Sequence, residues 1–292
     1  MAIRGFFRRT AVLVATAATA ATLLSACGSD NQVPLRVSSD GTVSMRVAAQ
    51  VYAKALARTG VWVDVTDEVA GDRRLLERAA EGEVDLFPAF TGDLLTTLTP
   101  APTAVTGDEV ATAVNRALPQ GVTIGDPASV SNRRQLVVAE NLIGTSGLAD
   151  LSDCAVLPAG LPLVTTGILT SEERRSFEVC RFGSIVDQQS PAQVLAAVRD
   201  SRALGTLTGL EAAGTLAGQD AVVAVRSADA GPMAEDLVPV FRSGSIGKSQ
   251  MKALSRVAGE LTSADVVAMS ERVANGADPA VVASEWVSTH GV

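Results

Sequence analysis

Glu81-Gly82-Glu83-Val84-Asp85-Leu86-Phe87-Pro88-Ala89-Phe90-Thr91-Gly92 is the stretch on which the fold of this chain turns. Just upstream, Leu75, Leu76 and Ala79 fall on one face of a helix. Gly82 stops that helix, because glycine adopts the left-handed closing conformation at little cost. Val84 to Phe87 then reads as an apolar strand, running into the turn Pro88-Ala89-Phe90-Thr91-Gly92. Helix, short link, buried strand and polar turn form the repeating unit of an α/β sheet.

The same alternation continues outward in both directions. Leu35–Val37 reads as a strand, Ser38-Ser39-Asp40-Gly41-Thr42 as a polar turn, and Ala48, Val51, Tyr52, Ala55 and Leu56 as the apolar face of a helix ended by Gly60. Val61–Val65 is a second strand. Downstream, Thr106 and Glu109 have the spacing of a capping box ahead of a helix to about Leu118. Val122–Gly125, Gln135–Val138, Cys154–Leu157, Ala203–Leu207 and Ala221–Val225 are expected strands. Ser190-Pro191 is an N-cap followed by proline at the first helical position, and Val194, Leu195 and Val198 face inward behind it. From Gly247 three helices follow, to about Glu260, over Ser263–Asn275 and from Asp278 through His290. The expected fold class is α/β with mainly parallel or mixed sheets.

Composition narrows the function. The 292 residues are 47% hydrophobic and 19% charged, which excludes general disorder. A net charge of −8 argues against nucleic acid, since phosphate binding needs a basic face. One histidine, His290, and three cysteines argue against a histidine metal site, a Ser-His-Asp triad and a Cys-His dyad, so no enzyme and no cofactor is expected. Gly247-Lys248-Ser249 is no phosphate loop, because the required first glycine falls at Arg242. Glu172-Glu173-Arg174-Arg175 reads as a solvated helix face.

The N-terminus sets the compartment. Arg4, Arg8 and Arg9 precede an uncharged run from Thr10 to Ala26, the pattern of a secretory signal over residues 1–26. Leu24-Ser25-Ala26-Cys27-Gly28-Ser29 resembles a bacterial lipobox, which implies lipidation of Cys27 and a lipid-anchored location on the extracytoplasmic face of the cell membrane. Without residues 1–26 the net charge becomes −11, and residues 27–34 form a polar tether. In that oxidising compartment Cys154 and Cys180 are expected to pair, the alternative being two buried thiols.

The order of segments resembles the substrate-binding proteins of glycine betaine/choline/carnitine ABC importers, bilobed proteins of the type II periplasmic-binding-protein fold. Three places carry the resemblance: the turn Ser38–Thr42 before the helix with Ala49-Gln50-Val51-Tyr52; the Glu81–Gly92 segment; and Leu237-Val238-Pro239-Val240-Phe241-Arg242 with the closing helices at Ala258–Thr262 and Asp278–Ala283. It implies one lobe of residues 35–127 plus 229–292 and another of 128–228, joined by a two-strand hinge at Asp126–Ala128 and Ser227–Gly231. It implies a monomer, tethered to the membrane through its lipid, that passes a small polar or zwitterionic solute to an ABC permease. A sensor or structural envelope lipoprotein on the same fold is the alternative.

Turns at strand ends and helix N-termini supply the candidate ligand residues. They are Asp40, Thr42 and Ser44 from the first turn, and Phe90, Thr91 and Asp93 from the second. Ser131 and Asn132 come from the crossover, Gln188, Gln189 and Ser190 from a second-lobe turn, and Thr208 from the loop after the next strand. Asp40 or Asp93 is expected to balance a cation and Arg133 to hold a carboxylate. Quaternary-ammonium binders of that family enclose the cation with several aromatic rings. Here Phe90 takes the place of a tyrosine, while Tyr52, Trp62 and Trp286 read as packing. Either polar groups and Phe90 make the cage, or the ligand is not betaine.

Overall fold

Asp85 is buried directly before the central strand of the first sheet, which explains why the surrounding stretch fixes the fold. The computed structural model describes residues 33–227 and 230–292; the leader, Cys27 and most of the tether lie outside the described residues. The first lobe begins β1 (Leu35–Val37), α1 (Val43–Ala57), β2 (Val63–Val65), α2 (Asp72–Glu81), β3 (Leu86–Phe90), α3 (Thr91–Leu98), α4 (Gly107–Ala117), β4 (Val122–Ile124). The chain then builds β5 (Gln135–Ala139), α5 (Glu140–Ser146), β6 (Leu163–Thr166), α6 (Ser171–Phe177), β7 (Ile185–Gln188), α7 (Pro191–Arg199), β8 (Leu204–Leu207), α8 (Gly209–Thr215) and β9 (Val222–Ala224). It returns through β10 (Leu237–Arg242) and closes with α9 (Lys248–Glu260), α10 (Ser263–Ala274) and α11 (Pro279–His290).

Two mixed five-stranded sheets result, ordered β2-β1-β3-β10-β4 and β7-β6-β8-β5-β9. In each, one strand runs against its neighbours: β10 is antiparallel to β3 and β4, and β5 to β8 and β9. All five residues of β3 are buried, because helices cover both faces of its sheet. Leu86 and Phe90 pack towards α1 and the C-terminal helices, whereas Phe87 and Ala89 pack towards α2, α3 and α4. Pro88 lies opposite Pro239 in the β3–β10 register, a pair without ladder bonds, so neither proline interrupts that ladder.

Asp85 accepts from the Arg36 backbone N–H (2.9 Å), Arg36 Nε (3.1 Å), Arg242 Nη1 (2.9 Å) and Ser245 Oγ (2.8 Å). Burial alone would raise its pKa, but the hydrogen bonds from Arg36 and Ser245 and the Arg36 charge hold it below the usual value. One carboxylate thereby ties β1, β3 and the end of β10 together.

Residues 128–132 and 235–237 cross between the lobes side by side. Ala128 N–H donates to Leu237 O (2.9 Å), Leu237 N–H to Val130 O (2.9 Å) and Asn132 N–H to Glu235 O (2.8 Å). A second link joins the lobes where α8 packs on α10, with the Gly214 position facing Val267.

In the second lobe Cys154 and Cys180 form a disulfide between two 3₁₀ segments, Leu151–Val156 and Glu178–Cys180. The expected strand at Cys154–Leu157 is therefore a 3₁₀ turn. The Asp150 carboxylate accepts from Ser152 N–H (3.1 Å) to start it, and the neighbouring sheet position belongs to β6. Trp62, expected as packing, is 73% exposed just before the edge strand β2. Tyr52 is buried in α1, and Trp286 stacks on His290 with ring centroids 4.3 Å apart.

Candidate functional site

Two adjoining cavities lie between the lobes, sharing Asp93 and Asn132. The larger, about 540 Å³, takes Asp93, Thr96, Met233 and Glu235 from the first-lobe side and Asn132, Arg134, Ile168, Thr170, Glu173 and Thr208 from the second. The smaller, about 180 Å³, is lined by Asp40, Thr42, Ser44, Asp72, Phe90 and Ala89. The volume of the larger suits a small solute.

Local chain chemistry sets each wall. Asp40 Oδ1 accepts from both the N–H and the hydroxyl of Thr42 (2.8 Å each), and the Thr42 hydroxyl caps α1 by accepting from Met45 N–H (3.4 Å). Glu235, ahead of β10, reaches back to the start of α3: its Oε2 accepts from Gly92 N–H (3.2 Å) and Asp93 N–H (3.1 Å). Gly92 makes that approach possible. A Cβ there would lie 2.4 Å from Glu235 Oε1 and 2.8 Å from Ala234 O.

The second wall is a closed network. Arg134, its side chain 10% exposed, donates from Nε to Glu173 Oε1 (2.9 Å) and from Nη1 to Thr166 O (3.2 Å). Glu173 also accepts from Thr170 N–H (2.8 Å) in the capping box of α6. Thr208 caps α8, and Glu211 accepts from Thr208 N–H (2.9 Å) and the Thr166 hydroxyl (2.7 Å).

Carboxylates crowd the first wall. Burial, then the charges of Asp93 and Asp40, push the Asp72 pKa up to about 7. Burial and Asp93 push Glu235 up to about 8, against the downward pull of the N–H groups of Asp93 and Gly92. Asp93 reaches the cleft water, yet desolvation and the charges of Asp40 and Glu173 raise it too.

Of the residues expected at a site, Asp40, Thr42, Ser44, Phe90, Asp93, Asn132 and Thr208 come together here. The others do not. Thr91 is buried, its hydroxyl donating to Ala234 O (3.3 Å) and accepting from Asp236 N–H (3.0 Å), so it fastens β3 to the return crossover. Ser131 faces the far side of the crossover and accepts from Arg133 N–H (3.3 Å). Gln188, Gln189 and Ser190 lie at the end of the outer strand β7, where Ser190 and Gln193 cap α7. Arg133 does not await a carboxylate: its guanidinium donates to the carbonyls of Pro232 (2.6 Å), Ser227 (2.6 Å) and Ala230 (3.1 Å) and clamps the crossover. The cleft arginine is its neighbour Arg134. Asp72, Arg134 and Glu235 escaped the sequence reading, and Glu173, expected on a solvated helix face, instead pairs with Arg134 in the cleft; for Glu235 the available signal was the acidic pair Glu235-Asp236 directly before an apolar strand.

A family model described as the substrate binding domain of an ABC-type glycine betaine transport system matches residues 33–289. The chain belongs to this family. Its members are substrate-binding proteins of ABC transport systems rather than enzymes, and a solute-binding role follows for this chain. The fold agrees with solved relatives. A glycine betaine/carnitine/choline ABC transporter protein is 14% identical, with 88% of this chain and 98% of that one aligned and a TM-score of 0.71. Apo YehZ from Escherichia coli is 13% identical over 88% and 99%, with a TM-score of 0.67. Lactococcal OpuAC in complex with glycine betaine is 12% identical over 88% and 96%, with a TM-score of 0.51. No curated protein is significantly similar to the chain in sequence. Among family binders this one has a cleft with one aromatic side chain, Phe90, among its described lining residues.

Proposed function

We propose that the protein is a lipid-anchored receptor on the outer face of the cell membrane, held by Cys27, that captures a small polar solute between its lobes and delivers it to an ABC permease. Substrate-binding proteins of importers work outside the cytoplasm, and the disulfide suits that compartment. The observation that carries the reading is the paired cavity walled by polar side chains of both lobes. A ligand touching both walls favours the arrangement that brings them together, which is how a binding protein presents a loaded state. Asp40, Thr42, Ser44, Asp72, Phe90, Asp93, Asn132, Arg134, Thr208 and Glu235 are the proposed ligand-contacting set.

The test is a thermal-shift screen with betaine, choline, carnitine, ectoine, amino acids, small amines and sugars. A ligand at a hundred times its Kd stabilises by about 2.7 kcal/mol, on the order of 5 °C for a chain of this size. A shift that disappears in Asn132→Ala supports binding where the cavities meet. A flat response to the whole panel would instead favour the sensor or structural role.

A further inference from the structure

The interlobe cleft, not its acidity, defines the site; its chemistry then says what the ligand must bring. Anion-binding capacity has been used up by the protein itself. The N-terminus of α3 is occupied by the Glu235 carboxylate, and those of α1, α6 and α8 by Thr42, by Thr170 with Glu173, and by Thr208 with Glu211. Arg134 is engaged with Glu173 and Thr166 O.

Acceptor atoms are in surplus. No described residue donates a hydrogen bond to the carboxylate of Asp72 or of Asp93, and Glu235 uses Oε2 alone, leaving Oε1 available. Carboxylates gathered in this way call for a cation, and the form of the cation follows from what lines the space. A quaternary ammonium has no N–H; its charge rests on methyl groups, which bind best against several ring faces. Phe90 supplies one. An ammonium or guanidinium donates directional, charge-assisted hydrogen bonds, which carboxylate oxygens accept best. Among the described residues no cluster of side chains has the arrangement of a metal site. Where the two cavities meet at Asp93, Asp72 lines one and Glu235 the other, which offers a charged head group three carboxylates, while Met233 and Ile168 line the larger cavity and can contact an apolar body.

We propose that the solute bound in this cleft carries an N–H-bearing cation, a primary or secondary ammonium or a guanidinium, with its donors on Asp72, Asp93 and Glu235 Oε1. This rests on the cleft being the solute site.

The test titrates the whole protein by calorimetry with n-butylammonium, its N-methyl and N,N-dimethyl forms, butyltrimethylammonium and butylguanidinium, which share one tail and one charge. Glycine betaine and calcium alone complete the panel. Affinity should fall as methyl groups replace N–H groups, by roughly tenfold or more from the primary to the quaternary amine. Asp93→Asn should weaken the primary amine by a comparable factor and leave butyltrimethylammonium much less affected. Asp72→Asn, on a different element, is the second variant, and thermal melting confirms that each one folds. Equal or tighter binding of butyltrimethylammonium overturns the proposal. Tight glycine betaine binding with silent primary amines overturns it while leaving solute capture in place. Calcium binding with silent amines replaces the organic cation by a metal. Silence of every probe, betaine included, removes both this proposal and the solute-capture reading.

Discussion

The two walls of the cleft handle their acidic groups in opposite ways. On the second-lobe wall the carboxylates nearest Arg134 and Thr208 have partners: Glu173 meets Arg134 and the Thr170 N–H, and Glu211, behind the wall, meets Thr166 and the Thr208 N–H. On the first-lobe wall Asp72 and Asp93 accept nothing from described residues, and Glu235 shares one oxygen between two backbone donors. A satisfied network is rigid and adds shape; an unsatisfied one stores electrostatic cost that a ligand can relieve. The first wall is thus where ligand charge is read, and the second is a preorganised surface that closes against it.

The largest expected effect breaks the second wall's rigidity. Replacing Cys154 and Cys180 by serine opens a 26-residue loop, and the chain-entropy model puts the loss at about 3–4 kcal/mol. Cys180 follows directly on α6, which carries Glu173, so the Arg134–Glu173 pair should loosen with it. Hydrogen exchange should rise across α6 and the segment around Cys154, with the first sheet protected as before. Uniform deprotection of both lobes would contradict the division.

A smaller effect strikes the first wall at Gly92. The Gly92→Ala methyl would collide with Glu235 Oε1 and Ala234 O, and such overpacking costs about 1–3 kcal/mol. Relief requires Glu235 to leave the start of α3, so ligand affinity should drop in proportion to the loss of stability. Denaturant midpoints and calorimetry on the same sample check both. Unchanged affinity in a destabilised variant would detach Glu235 from the site.

How much of this was legible in the sequence also follows the division. Strand–helix alternation, the Gly82 stop and the Thr106 and Ser190 caps are local signals, and the elements they imply are present. The first-wall turns could be found because Asp40, Phe90 and Asp93 sit directly at strand ends. Glu235 and Arg134 could not, since each acts on an element far away in sequence: Glu235 on a helix start 142 positions back, Arg134 on Glu173 39 positions on. Choosing Arg133 over Arg134 failed for a strand-specific reason. Adjacent residues entering a strand point to opposite sides, and nothing local says which side is the cleft. Thr91 misled because a hydroxyl at a strand end can as well fasten two segments as face a ligand.

The subtlest comparison is made by pH, because of the two walls only the first carries raised carboxyl pKa values. Asp72, pushed up to about 7, and Glu235, to about 8, bind protons more tightly in the folded protein than in the unfolded chain, where such groups titrate near 4. Their contribution to stability is complete below about pH 4 and is lost as pH rises through 7 to 8. Asp85 has the opposite sign: its lowered pKa gives stability that is lost as pH falls below about 4. Between pH 5.5 and 8.5 the first wall ionises while the second does not, and the unliganded protein should weaken by on the order of 1–2 kcal/mol after solvent screening. Asp72→Asn should flatten that slope, whereas Glu211→Gln, behind the paired wall, should leave it in place. A cationic ligand reverses the trend, since it binds the ionised wall and drives protons off, so affinity should climb across the same interval. Urea midpoints at pH 5.5, 7 and 8.5 read the first effect, and proton release measured by calorimetry in buffers of different ionisation enthalpy reads the second. Stability that rises with pH in the absence of ligand would mean that the first wall, like the second, is already neutralised.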